Sequence, residues 1–336
     1  MVDVAAGVAR PPLLAPILLA VAAVVGVASL TVGPAPIPLG AVLGALTGHA
    51  DPVVSDIVLQ IRVPRAILAL LIGAMLGLSG AGLQGLLRNP LADPAVIGTS
   101  STAALGAVIA LYFGFAKAFP IALPLMAVTG ALVGLAALLP VARRGEGSST
   151  LILAGVAIAA LAGAGVSLAL NLAPNPYAVS EIAFWLLGSL TDRSFQHVVL
   201  AAPLIAAGAV LILWQARALD GLALGEDTAR SLGFNLGRVQ ILLVAGVALG
   251  VGAAVAVSGS IGFIGLIAPH LVRPFTDGRP SRVLVLAALA GAVLLSLADL
   301  AVRLAPTPTE LRLGVVTAFL GAPVFIFVLL RGRRLG

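Results

Sequence analysis

An all-α polytopic membrane protein of about ten transmembrane helices is the fold class this sequence predicts, and three observations predict it. Apolar residues make up 60% of the 336 residues and charged residues only 10%. A soluble domain carries roughly 25% charged residues, so this chain cannot cover itself in water. Mean hydropathy is +1.17, and apolar runs near the ~20 residues that cross a hydrocarbon core recur along the chain. The runs lack the alternation of a barrel strand, and lipid offers no partner for a free amide, so each run is helical.

In order, spans fall near 13–32, 64–86, 95–115, 118–140, 150–172, 196–214, 239–257, 261–275, 283–302 and 313–330. The first exceeds the apolar core of a signal peptide, about 7–15 residues, and stays in the count as a span. The second ends in Ser79-Gly80-Ala81-Gly82-Leu83-Gln84-Gly85-Leu86-Leu87-Arg88-Asn89-Pro90-Leu91-Ala92-Asp93-Pro94, where an apolar run breaks into glycines, an amide, a cation and two prolines. Such a stretch is a helix end that meets water or a partner. The eighth span is too short to cross comfortably. Gly73/Gly77, Gly130/Gly134 and Gly246/Gly250 repeat at helical spacing, which lets helices approach closely in lipid. Residues 1–336 read as one transmembrane domain.

The cations set the orientation. With the N-terminus inside, Arg10, Arg88, Arg143, Arg144, Arg217, Arg230, Arg238, Arg273, Arg279, Arg282, Arg331, Arg333 and Arg334 fall inside. Arg62, Arg65, Lys117, Arg193, Arg303 and Arg312 fall outside. That asymmetry obeys the positive-inside rule and puts both termini in the cytoplasm. The net charge of +6 therefore reflects topology. The cations gather on no soluble module, so no nucleic-acid partner is expected.

What is missing narrows the chemistry. Cysteine is absent, so there is no disulfide framework or thiolate metal site. His49, His197 and His270 are scattered, with no metal-binding spacing. The single lysine, Lys117, sits in no glycine-rich loop, so the chain holds no phosphate loop. ATP and magnesium, if they drive it, belong to a separate subunit, and no cofactor is expected on this chain. Membrane-depth acids are scarce, which speaks against an ion-coupled carrier. Asp299 stands four residues before Arg303, the spacing of a pair on one helix face. Gly77-Leu78-Ser79-Gly80 spells a short motif used by intramembrane serine proteases, but a nucleophilic serine needs a base within hydrogen-bond reach.

The longest polar connection, 215–238, lies inside. In it Gly225-Glu226-Asp227-Thr228-Ala229-Arg230-Ser231-Leu232-Gly233 predicts a short amphipathic helix with a glycine stop. It is a passive connector or a knob for a soluble partner. Outside, Arg62-Val63-Pro64-Arg65 precedes the second span and Arg303 follows the ninth. Arginines there are interfacial anchors or seats for acidic residues of a protein. Residues 258–270 echo 79–90 in opposite orientation, a hint of an inverted repeat.

These segments together resemble the FecCD/BtuC family of permeases, the membrane subunits of type II ABC importers for iron–siderophore, haem and cobalamin. The marks run in order from Arg62 to Leu330. They are Arg62-x-Pro-Arg65, Ser79-Gly80-Ala81-x-x-Gln84, Arg88-Asn89-Pro90-Leu91-Ala92-Asp93-Pro94 and Leu224-Gly225-Glu226. They continue with Gly262-Phe263-Ile264-Gly265-Leu266-Ile267-x-Pro269-His270, Ala298-Asp299-x-x-x-Arg303 and Thr317-Ala318-x-x-Gly321-x-Pro323.

The resemblance implies a BtuC-like domain of ten spans, a homodimer with its path on the two-fold axis, two cytoplasmic ATP-binding subunits and a periplasmic binding protein. The setting is the bacterial inner membrane. It implies ATPase coupling by Gly225, Glu226, Asp227, Ala229, Arg230, Leu232 and Gly233. It implies docking of the binding protein by Arg62, Arg65 and Arg303, with Arg312 as an added outer cation. Arg312 stands where the family often has proline, in Glu310-Leu311-Arg312-Leu313-Gly314. Arg88, Asn89, Pro90 and Asp93 form the family's inner loop motif, and Ser167, Leu168 and Asn171 line or gate the path. Residues 277–282 match the family only loosely. A metal chelate, with Fe(III)-siderophore ahead of haem and cobalamin, is the expected cargo.

Overall fold

The structure, a computed structural model, describes residues 13–119, 121–143, 148–307 and 310–332. Among them the chain is helical and contains no strand. The elements are α1 Leu14–Thr31, α2 Leu39–Leu46, α3 Pro52–Asp56, α4 Val63–Leu87, α5 Thr99–Tyr112 and α6 Phe115–Ala118. Then come α7 Ala122–Arg143, α8 Ser148–Asn171, α9 Pro176–Leu186, α10 Phe195–Trp214, α11 Ala216–Ala223 and α12 Glu226–Ser231. The chain closes with α13 Leu236–Ser258, α14 Ile264–Val272, α15 Pro280–Leu304 and α16 Leu313–Gly332. A π-helical turn, Ile57–Arg62, feeds α4.

Seven helices among the described residues are long and apolar enough to cross a membrane. They match seven of the ten expected spans. The other three, 95–115, 261–275 and 313–330, contain the shorter apolar helix α5, the nine-residue α14 and the start of α16. Helix α5 starts late because Asp93 and Gly98 delay it. The Asp93 carboxylate accepts the Ala95 N–H, and Gly98 caps the helix in the left-handed region. Of the expected inner cations, Arg10, Arg144, Arg333 and Arg334 lie outside the described residues.

Helices α4, α13 and α15 form the core. Most of each apolar stretch is buried, whereas α1, α8 and α10 are mostly open. An apolar helix left open to its surroundings is stable in lipid and costly in water. Glycine makes the core close. A Cβ on Gly73 would collide with the Gly291 carbonyl oxygen, and one on Gly77 with that of Ala287. Helices α4 and α15 therefore touch backbone to backbone, as small residues permit in membranes.

One irregular junction holds three distant segments. Helix α13 stops at Ser258, Gly259 adopts a left-handed φ of 70°, and α14 begins only at Ile264. The exposed backbone groups are satisfied across the chain. Ser189 N–H donates to Ser258 O at 2.7 Å, Leu313 N–H to Gly188 O at 2.9 Å and Gly314 N–H to Leu187 O at 3.0 Å. Non-helical backbone in a membrane protein persists only where partners of this kind exist.

Candidate functional site

Two polar clusters lie at opposite ends of α4. At its start, Arg65 Nε donates to Asp299 Oδ1 at 3.0 Å and Nη2 to the same oxygen at 2.8 Å. The same guanidinium reaches Glu310, through Nη1 to Oε2 at 3.3 Å and through Nη2 to Oε1. Asp299 also pairs with Arg303 one turn further along α15. Arg303 Nη1 donates to the Ser29 and Val32 carbonyls at 2.8 and 3.2 Å. Arg62 Nη1 donates to Leu30 O at 2.8 Å and Nη2 to Ala35 O. Two arginines thus serve the carbonyls that α1 leaves unpaired at its C-terminus, where cations are also favoured by the helix dipole.

The guanidinium groups of Arg62, Arg65 and Arg303 are turned into the bundle and bonded within the chain. The Arg65, Arg303 and Asp299 side chains are 9%, 4% and 1% exposed, and Arg62 is buried as well. The physical reason is Asp299, a carboxylate deep in an apolar bundle that needs counter-charge. The carboxylate of Glu310 is the most open member, 28% exposed. It lines a cavity of about 480 Å³ with Phe184, Trp185, Asp192, Arg193 and Arg312. Arg312, partly exposed, sits 4.9 Å over the Phe184 ring, a cation–π contact.

At the other end of α4 the predicted short helix forms as α12. Gly225 enters it at φ 115°, a conformation open to glycine. Gly233 leaves at φ 87°. Phe234 N–H bonds Ala229 O at 3.1 Å and Gly233 N–H bonds Arg230 O at 2.9 Å, the paired bonds of a Schellman stop. Acids in the first turn and Arg230 in the last complement the helix dipole. Ala229 is fully buried in the main core, while Asp227, Arg230 and Leu232 face outward. Arg88 Nη2 reaches Glu226 Oε1 at 3.3 Å, and Arg230 approaches Glu226 Oε2 at 3.6 Å.

The loop after α4 is built from local caps. Asn89 Oδ1 accepts the Leu91 N–H at 2.9 Å and Asp93 Oδ1 the Ala95 N–H at 3.0 Å. Pro90 occupies the turn between them. Burial pushes the Asp93 carboxyl above the usual carboxylate range. Gln84 holds the loop through Ala92 O and accepts from Arg273 at 2.8 Å. Ser167, Leu168 and Asn171 all lie exposed on α8. The protease alternative fails here, because the buried Ser79 Oγ has no hydrogen-bond partner. No cluster of metal-ligating side chains exists among the described residues.

Residues 19–331 match the model of the FecCD transport family. The chain belongs to the FecCD transport family. It is 40% identical over 300 residues to the ABC transporter permease protein YvrB of Bacillus subtilis (strain 168), covering 87% of this chain and 84% of that one. It is 42% identical over 280 residues to the vitamin B12 import system permease protein BtuC of Salmonella paratyphi A, covering 82% and 84%. Among solved structures it matches an inward-facing conformation of a metal-chelate type ABC transporter. The TM-score is 0.85 and the identity 30%, over 95% of this chain and 99% of that one. The protein is therefore a multi-pass ABC importer permease with a BtuC-like transmembrane fold.

Within this FecCD permease, sequence reasoning missed four side-chain pairs: Arg65–Asp299, Arg65–Glu310, Arg88–Glu226 and Gln84–Arg273. Each joins residues more than a hundred positions apart, beyond the reach of helical spacing. The one pair found in advance, Asp299–Arg303, is separated by four.

Proposed function

We propose that this permease carries a metal chelate from periplasm to cytoplasm, in the bacterial inner membrane, as a homodimer served by two ATP-hydrolysing subunits and a periplasmic binding protein. The observation that carries the reading is the match, over nearly the whole chain, to an inward-facing metal-chelate transporter. Relatives named for vitamin B12 import favour a corrinoid over the Fe(III)-siderophore as the cargo to try first. ATP and its magnesium act on the partner subunits, and this chain binds no cofactor.

In this reading the Arg88 end faces the cytoplasm and α12 meets the ATPase through Glu226, Asp227, Arg230 and Leu232. The Arg65 end faces the periplasm. There Arg312 makes the outward contact with the binding protein. Arg62, Arg65 and Arg303 form the frame beneath it, joining the ends of α1, α4 and α15. The open face of α8, with Ser167, Leu168 and Asn171, lines the path beside the second copy. Closure of the ATPase pair drives α12 and rocks the bundle, so access alternates without any bond in the cargo being broken.

The test is uptake by vesicles containing this permease, its ATPase and its binding protein. Labelled cyanocobalamin and a ferric siderophore are offered in parallel, with and without ATP. ATP-dependent uptake of one of them is expected. Uptake by the permease alone under an ion gradient would overturn the reading.

A further inference from the structure

Arg88 has no task in the proposed transport cycle, yet its geometry is unusual. It is one of three non-glycine residues with positive φ among the described residues, at 48°. Glycine is the ordinary residue at such a helix end, because a Cβ is disfavoured there. The side chain that accepts this backbone leaves α4 and reaches Glu226 on α12 at 3.3 Å. Beside that bridge, Ala229 of α12 is buried in the same apolar cluster as Leu86 and Leu87 at the end of α4. Helix α12 itself packs on α11 and α13, and one ion pair, Arg88–Glu226, ties it to the end of α4.

Helix α4 is an unbroken run from Val63 to Leu87, about 37 Å at 1.5 Å per residue. It cannot slide freely against α15, because glycine and alanine backbones meet at Gly73–Gly291 and Gly77–Ala287. Arg65 and Asp299 tie the same two helices at the far end. A displacement of α12 therefore meets a stiff pair of helices, whose opposite end is the buried arginine cluster.

We infer that Arg88 is a positioning residue that clamps α12 onto α4, so that force applied to α12 moves α4 and α15 as one body and reaches the Arg65–Asp299–Glu310 cluster. The inference rests on the reading that α12 meets the ATPase. A merely decorative surface ion pair would predict no effect of its loss.

The chain has no cysteine, so a spin label at S231C reports α12 alone. In the purified permease, R88A and R88E increase the mobility of that label, and R88K and the swap R88E/E226R restore it. In the assembled transporter, R88A lowers cargo moved per ATP about five- to tenfold, the size of effect typical of residues that couple distant sites. The swap recovers it. As a second variant, R88C/E226C is joined by a short bismaleimide, and transport survives because the two helices travel together. Unchanged label mobility and unchanged transport per ATP in R88A would overturn the clamp, as would loss of transport on cross-linking. A loosened label in R88A, in a permease that recruits no ATPase, supports the clamp and overturns the partner reading.

Discussion

The two ends of α4 hold the same residue type in opposite circumstances. Arg65 is buried and gripped by two carboxylates, while Arg88 is about half exposed and held by one. At the first end the charges cannot separate without leaving an ion stranded in an apolar bundle. At the second, water can replace the partner whenever the helices part. Burial, more than the number of ion pairs, decides which end is fixed architecture and which end is a working contact.

The largest expected effect comes from breaking the fixed end. Asp299→Ala leaves two buried guanidinium groups short of a counter-charge, and loss of about 3–5 kcal/mol is expected. Thermal melting in detergent measures it, and a variant as stable as the parent would erase the contrast between the ends. Next is the spine between them. Gly77→Val drives a branched side chain into the Ala287 carbonyl, and overpacking of this kind costs about 1–3 kcal/mol or more. The same melts read this out, and a small residue, Gly77→Ala, is expected to fall between the two. Arg312→Ala removes a cation from the Phe184 ring, worth about 0.5–1 kcal/mol at an exposed site. Its clearer consequence is weaker binding of the periplasmic protein, read by titration. Unaltered affinity would remove Arg312 from the docking face. The smallest stability effect is expected at the working end. Arg88→Ala changes the melting free energy by less than about 1 kcal/mol, although transport per ATP falls. Matching losses at Arg88 and Asp299 would show that both ends are structural.

Much of this fold was legible because lipid imposes simple rules. Apolar length placed the helices, and small-residue spacing marked the close contacts that Gly73, Gly77 and Gly130 make. The α12 helix and its stop could be read from Gly225 and Gly233, since few residues accept those backbone angles. The site was legible only in part. An arginine at a helix start looks the same whether it faces water or a buried acid. Arg65 therefore read as an interfacial anchor or a seat for acidic residues, and its partners Asp299 and Glu310, far off in sequence, were not visible. The shortness of α14 had a visible cause, the Ser258-Gly259 break, but the cross-chain bonds that make such a break tolerable were not visible.

Those cross-chain bonds have a consequence for biogenesis. The amides of Leu313 and Gly314 close on Leu187 and Gly188, which leave the ribosome long before them. The junction that seats α9 and the broken end of α13 must therefore wait, incomplete, until the final helix has been threaded into the bilayer. A nascent chain stalled before α16 would leave the Leu187 and Gly188 carbonyls without these partners, a mark by which quality-control proteases could recognise it.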